Sequence, residues 1–237
     1  MKIAVCYSGI NRGNFIKNNT SVKWHFPDAD YFYSTWHNAV ASMPPRIEYK
    51  TYPEPTMDYH PMKDVNPKLL TMKLRNNLSR LEDKSYYERT KNHTKQILAH
   101  AYQLRDLPEE YDMIIRVRYD TYLSPKVDFS SYVTESYENS LAIGFGTRKS
   151  RHRDVNVLRE LPREEPKTFD DIQDWHRYLM DPMIFHPRNL FDIDRVFEYH
   201  RDKKLLPAEN GWYQILSEPY DVNHVCFYGG AQIEKYL

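Results

Sequence analysis

The chain predicts a single-domain α/β fold, and three observations carry that expectation. A short apolar run from Lys2 to Tyr7 breaks at Ser8-Gly9 and gives way to polar residues, the strand-to-turn opening of such folds. Apolar runs of strand length then alternate with stretches whose apolar residues recur at helical spacing. The helical stretch over residues 86–105 leads directly into a second apolar run, YDMIIRVRYDTYLSP at 111–125, as a helix feeding a sheet strand does.

In chain order, Ala29 to Trp36 follows the Phe26-Pro27-Asp28 turn and reads as a second strand, and Arg46 to Tyr52 as a third. Pro53 to Pro67 is a proline-rich loop, long enough to belong to the class that is often functional. Leu69, Leu70, Met72, Leu74, Leu78 and Leu81 suit a helix over 67–81, while Ile97, Leu98, Ala101, Tyr102 and Leu104 define the one over 86–105. After the 111–125 strand comes Leu141 to Phe145, with Gly144 and Gly146. A helix near 169–180, a strand from Pro182 to His186, helices over 188–204 and 208–217, and a last strand from Tyr220 to Tyr228 complete the pattern. The chain contains no internal repeat and no low-complexity tract.

At 237 residues with 41% hydrophobic content, the chain can bury a substantial core, which excludes wholesale disorder. Thirty-three basic and 33 acidic residues cancel, so no global field draws the molecule to nucleic acid or a membrane, although a local patch still could. Twenty tyrosines are the compositional outlier. They suit stacking on bases or sugars and equally suit a core margin. Cys6 and Cys226 are far apart and lack metal-ligand spacing, which fits a reducing compartment. The opening apolar stretch is too short for a signal segment and no run is long enough to span a bilayer, so the expected location is cytoplasmic.

The chemistry concentrates in RVRYD. Side chains alternate across a strand, which would put Arg116, Arg118 and Asp120 on one face and Ile115, Val117 and Tyr119 on the other. Two guanidiniums and a carboxylate at the end of a buried strand are costly unless they bind each other, a metal or a polyanion. A structural Arg–Asp network and a diphosphate site are both compatible with that spacing.

The opening KIAVCYSG with Arg12, then FPDADYFYSTW, KQILAHAYQLRD, YDMIIRVRYDTYL, LMDPMIFHPRNL and PAENGWYQIL, occur in an order that resembles GT-A-type nucleotide-sugar glycosyltransferases. The likeness is to small bacterial and phage-encoded transferases with an R-x-R-x-D signature strand, and it covers most of the chain. It implies a GT-A-like, Rossmann-like mixed sheet flanked by helices. It also implies a nucleotide-sugar-binding half over 1–125 and an acceptor half over 126–237. The implied reaction moves a hexosyl or pentosyl group from a nucleoside-diphosphate sugar to a hydroxyl.

Asp120 would take the place of the family's metal- and donor-binding carboxylate motif, whose first acidic position is Arg118 here. Either Asp120 holds a divalent cation, Mn or Mg, with help from His224, or the arginines neutralise the diphosphate themselves. Ser8, Gly9, Arg12 and Lys95 join Arg116, Arg118 and Asp120 as expected donor contacts, and His100 lies on the same helix as Lys95. The resemblance makes Asp181 the first candidate for the acceptor's base, with Glu209 second. Arg148, Lys149, Arg151 and Arg153 form a basic segment suited to phosphates, and Trp36, Trp175 and Trp212 could stack on a base or sugar; the acceptor contacts expected are that basic segment and Trp212. The acceptor is expected to be a hydroxymethylated base of phage DNA, with a surface polysaccharide or lipopolysaccharide as the alternative. A noncatalytic nucleotide- or sugar-binding module is the alternative of another class, and the sequence leaves the oligomeric state open.

Overall fold

The computed structural model describes residues 1–57, 84–146, 179, 181–203, 206, 208–216, 224–228 and 231–233. Strand β1 (Ile3–Ser8) is buried along nearly its whole length, the mark of a central parallel strand covered on both faces. Parallel to it lie β2 (Asp30–Trp36) on one side and β4 (Met113–Val117) on the other, with the short β3 (Lys50–Tyr52) continuing beyond β2. Past β4 the direction reverses for one strand and then returns. Strand β7 (Met183–Pro187) runs antiparallel to β4, β6 (Ala142–Gly146) antiparallel to β7, and β8 (His224–Tyr228) parallel to β6. The result is a seven-stranded mixed sheet in the order β3-β2-β1-β4-β7-β6-β8, in which β7 alone is reversed. A separate ribbon pairs β5 (Thr121–Leu123) with β9 (Ala231–Ile233).

Alternation along the strands sorts the core into two layers. Ala4, Cys6, Ile114 and Ile184 face helices α2 (Lys84–Arg105), α4 (Ile193–Arg201) and α5 (Ala208–Leu216). Val5, Tyr7, Ile115, Val117 and Phe185 face α1 (Phe15–His25) and α3 (Phe129–Glu138). Helices on both faces of one mixed sheet make this a single α/β domain. Helix α2 is pinned to the sheet by Gln103, whose Nε2 donates to the carbonyls of Tyr7 and Phe32 at 3.1 and 3.0 Å.

Several boundaries differ from the sequence expectation. The 111–125 strand is two strands separated by a turn at Arg118 to Asp120, where Thr121 N–H closes on Arg118 O at 3.1 Å. The third strand shrinks to Lys50–Tyr52, the final one begins at His224, and the 188–204 helix is a 3-10 turn at Arg188–Leu190 followed by α4. Helices α1 and α3 and strand β9 were not anticipated. The expected helices at 67–81 and near 169–180, and most of the 53–67 loop, fall outside the described residues.

Cys6 is fully buried and its thiol is pushed up to about 12 by that burial, so it is chemically inert at neutral pH. Four strand spacings separate β1 from β8, roughly 19 Å, which rules out a Cys6–Cys226 disulfide. Among the described residues no helix is long and apolar enough to cross a membrane.

Candidate functional site

From β1 the chain crosses to β2 and β3 on one side and then returns through α2 to β4 on the other, so the sheet has a topological switch point between β1 and β4. In open α/β sheets ligands bind beyond the carboxyl ends of the strands at such a point. A cleft lies there, lined by Ser8 and Gly9 after β1, Trp36 at the end of β2, Lys95 of α2 and the Arg118 to Asp120 turn after β4. Arg12, on the loop between β1 and α1, also lines it.

Two glycines give that loop its path. Gly9 sits at φ +105, a conformation other residues reach only with strain, although space for a Cβ is open. At Gly13 the constraint is contact: an added Cβ would lie 3.1 Å from Asn18 Nδ2 and 3.3 Å from Asp120 Cα. The loop therefore packs directly on the signature turn. Asn18 of α1, itself buried, donates to Tyr119 O at 3.1 Å, and Arg118 N–H donates to Pro182 O at 3.0 Å. Tyr119 Oη meets both backbone groups of Ser34, donating to its carbonyl at 3.0 Å and accepting from its N–H at 3.1 Å. Gly9→Ala should cost about 1–3 kcal/mol of stability through backbone strain alone, read as a shift of the urea midpoint with unchanged slope. An unchanged midpoint would show that the loop relaxes freely.

Arg116, Arg118, Asp120 and Asp181 form a charge network. Arg118 Nε and Nη2 bind Asp120 Oδ1 and Oδ2 at 2.9 and 2.8 Å, and Nη1 reaches Asp181 Oδ2 at 3.1 Å. Arg116 donates through Nη1 to the Asp181 carbonyl and through Nη2 to Gln96 Oε1 at 3.1 Å, and its guanidinium lies 4.8 Å from the centre of the Trp212 ring. Burial lowers Arg116 to about 10, opposed by the Asp181 charge, so it stays a cation at neutral pH. For Arg118 burial acts downward too, yet Asp181 and Asp120 outweigh it and raise its pKa. Asp181 is pushed up by burial and drawn down further by Arg118, Arg116 and His93, with a net lowering.

A carboxylate whose folded pKa is depressed contributes stability above its unfolded value, and that contribution disappears as pH falls through the folded value. Asp181→Asn should therefore flatten the acid side of the stability profile below about pH 4. Thermal unfolding of both proteins across that range provides the measurement. Parallel acid limbs would remove Asp181 from the charge network.

The expected site residues separate into three groups. Ser8, Gly9, Arg12, Lys95, Arg118 and Asp120 come together at the cleft. Arg116 and Trp212 do not: Arg116 is fully buried, Trp212 is 1% exposed, and neither lines the cleft. The alternation argument placed Arg116 on the correct face, but two residues deeper than Arg118 that face is covered by α5. His100 is likewise buried, against His186 and Phe191. Asp181 is 6% exposed, is held by Arg118, and is not among the residues lining the cleft. The side chains of Glu209 and His224, and the whole of Arg148, Lys149, Arg151, Arg153 and Trp175, lie outside the described residues.

The sequence reading missed Gly13, Asn18 and Glu54. The G-x-x-x-G spacing of Gly9 and Gly13 was the available signal for the first. Glu54, which accepts from Lys95 and Asn38 at the cleft wall, carries no local motif. Among the described lining residues Lys95 is thus paired with Glu54 and Arg118 with Asp120, whereas Arg12 is exposed and has no ion-pair partner. Ser8 is 3% exposed, and its Oγ has no hydrogen-bond partner among the described residues.

No protein-family model matches the sequence, and no curated protein matches it. Solved structures of sugar- and nucleotide-transferring enzymes resemble its fold. A glycosyltransferase involved in glycosylation of the major capsid of PBCV-1 aligns at 10% identity and TM-score 0.44, covering 96% of this chain and 82% of that one. A Bacillus anthracis protein named as a glucose-1-phosphate thymidylyltransferase, solved with sucrose, aligns at 10% identity and TM-score 0.49 over 98% of this chain and 89% of that one. A mannose-1-phosphate geranyltransferase from Thermus thermophilus aligns at 10% identity and TM-score 0.44, over 99% and 76%. Likeness this loose carries no argument about activity.

Proposed function

We propose that this chain is a GT-A-like, nucleotide-sugar-dependent glycosyltransferase that binds its donor diphosphate across the β1/β4 cleft. The observation that carries the reading is that, among the described residues, a cation, Arg12, is unneutralised and a buried hydroxyl, Ser8 Oγ, is unpartnered at a switch-point cleft lined by a glycine-bracketed loop. Sugar transfer breaks the anomeric bond to the diphosphate, whose oxygens take the electron pair, while the acceptor oxygen bonds to the anomeric carbon and gives up its proton. Charge therefore grows on the diphosphate, where preorganised donors help most. Arg12 supplies the charge, and its planar fork suits phosphate oxygens. Arg118 uses three of its five N–H donors within the network, leaving two for the ligand.

Glu209 remains the proposed base for the acceptor proton, since Asp181 is held by Arg118 and does not line the cleft. The proposed acceptor is a hydroxymethylated DNA base, gripped by Arg148, Lys149, Arg151 and Arg153, with a surface glycan as the alternative.

The test is a thermal-shift panel of nucleotide sugars, since a ligand of the native state stabilises it as ln(1 + [L]/Kd). Hydrolysis of the best binder separates an enzyme from a binding module. Labelled transfer to hydroxymethylcytosine DNA, beside unmodified DNA and polysaccharide, then separates the acceptors. A chain that no nucleotide sugar stabilises is not a member of this class. Arg12→Ala should weaken binding of the best donor roughly 10- to 100-fold, the worth of a charge-assisted hydrogen bond, without moving the unfolding midpoint. Equal affinity in the variant would remove Arg12 from the donor site.

A further inference from the structure

Both carboxylates among the described lining residues of the cleft are already engaged. Glu54 accepts from Lys95 and Asn38, and both oxygens of Asp120 accept from the Arg118 fork at 2.9 and 2.8 Å. Arg118 Nη1 also donates to Asp181, and Arg116, Arg118, Asp120 and Asp181 sum to zero charge without any added ion. A divalent ion needs several oxygen ligands at about 2.0–2.6 Å. On Asp120 it would sit beside a guanidinium bound to those same oxygens, and two cations a few ångströms apart repel. Among the described residues no group of three acidic, histidine or cysteine side chains could hold a metal ion. The resident metal that the GT-A resemblance implies does not fit Asp120.

We infer that this chain meets the nucleotide diphosphate with its own cations, Arg12 foremost, and that Asp120 is a positioning residue that fixes Arg118 and is not a metal ligand. The inference rests on the proposed donor cleft. Asp120 then acts through geometry: it turns the Arg118 fork so that the two unused N–H donors are held at the cleft, and the Gly13 contact on its Cα holds that turn in place.

Two measurements on the full chain decide it. Calorimetric titration with UDP, GDP, ADP, CDP and dTDP, in EDTA and again in millimolar Mn²⁺, should give a best Kd that differs by less than about fivefold between buffers. Weakening of about fivefold or more in EDTA, restored by Mn²⁺, overturns the inference while leaving the donor reading intact. The second is the electron paramagnetic resonance signal of free Mn²⁺. It should not be lowered by any site that wild type has and Asp120→Asn lacks. Mn²⁺ uptake by wild type that disappears in Asp120→Asn also overturns it. If none of the diphosphates binds in either buffer, the donor reading fails, and the Mn²⁺ signal still decides the part played by Asp120.

Discussion

Arg116→Ala should lower the free energy of unfolding by roughly 3–5 kcal/mol, the cost of removing one partner from a buried, charge-balanced network. Arg116 is among the largest fully buried side chains of the chain, and it carries the charge that opposes Asp181 from beneath. Truncation leaves the Asp181 carbonyl and Gln96 Oε1 without their donor and opens a void against the Trp212 ring. Arg116→Met refills the volume without the charge, so it should recover part of the loss. Urea titration followed by tryptophan fluorescence gives the numbers. A loss below about 1 kcal/mol in Arg116→Ala would mean that the guanidinium is dispensable to the fold.

Acidification from pH 7 to pH 5 should cost roughly 3–4 kcal/mol through one pair of side chains, His100 and His186. Both are fully buried, with their Nε2 atoms 3.3 Å apart. His186 Nδ1 lies 2.9 Å from Pro187 O and must carry a proton to bond it, so its Nε2 is the acceptor for His100 Nε2–H. A further proton on either ring would be a charge without solvent, near the Arg116 and Arg188 guanidiniums. Burial accordingly lowers His186 to about 4 and His100 well below its ordinary value. The unfolded chain takes up protons at both sites from about pH 6.5 downward while the folded chain refuses them, so stability falls as pH falls. The double variant His100→Gln/His186→Asn keeps the hydrogen-bonding ends and should lose most of this slope. His25 and His200, also lowered by burial, account for a remainder. A slope unchanged in the double variant would place the acid sensitivity elsewhere.

Strands β1, β2, β4 and β7 and helices α2 and α5 were legible because each presents an apolar period that matches its burial. Helix α1 was not: it buries Phe15, Asn18 and Val22 while exposing Ile16 and Trp24, so its apolar residues point to no single face. In α3 one of the three buried positions is Ser136, whose hydroxyl bonds Leu141 O at 2.7 Å, and a serine gives no apolar signal. The site shows the same division. Spacing by two identified the face that Arg116 and Arg118 share, yet depth along a strand depends on what covers it. Trp212 of α5 covers Arg116 and leaves Arg118 at the cleft, a fact carried by residues almost a hundred positions away.

The single reversed strand sets how this molecule can change over time. Because β7 runs against β6, the chain leaves the sheet after Gly146 and re-enters at Met183 on one and the same side, the side where the cleft lies. A connection whose two ends are neighbours can be lengthened or trimmed without rethreading any strand. Its last residues carry a different constraint: Leu179 is buried in the core, Asp181 holds Arg116 and Arg118, and Pro182 O accepts from Arg118 N–H, so change that spares these three leaves the β1/β4 cleft as it is.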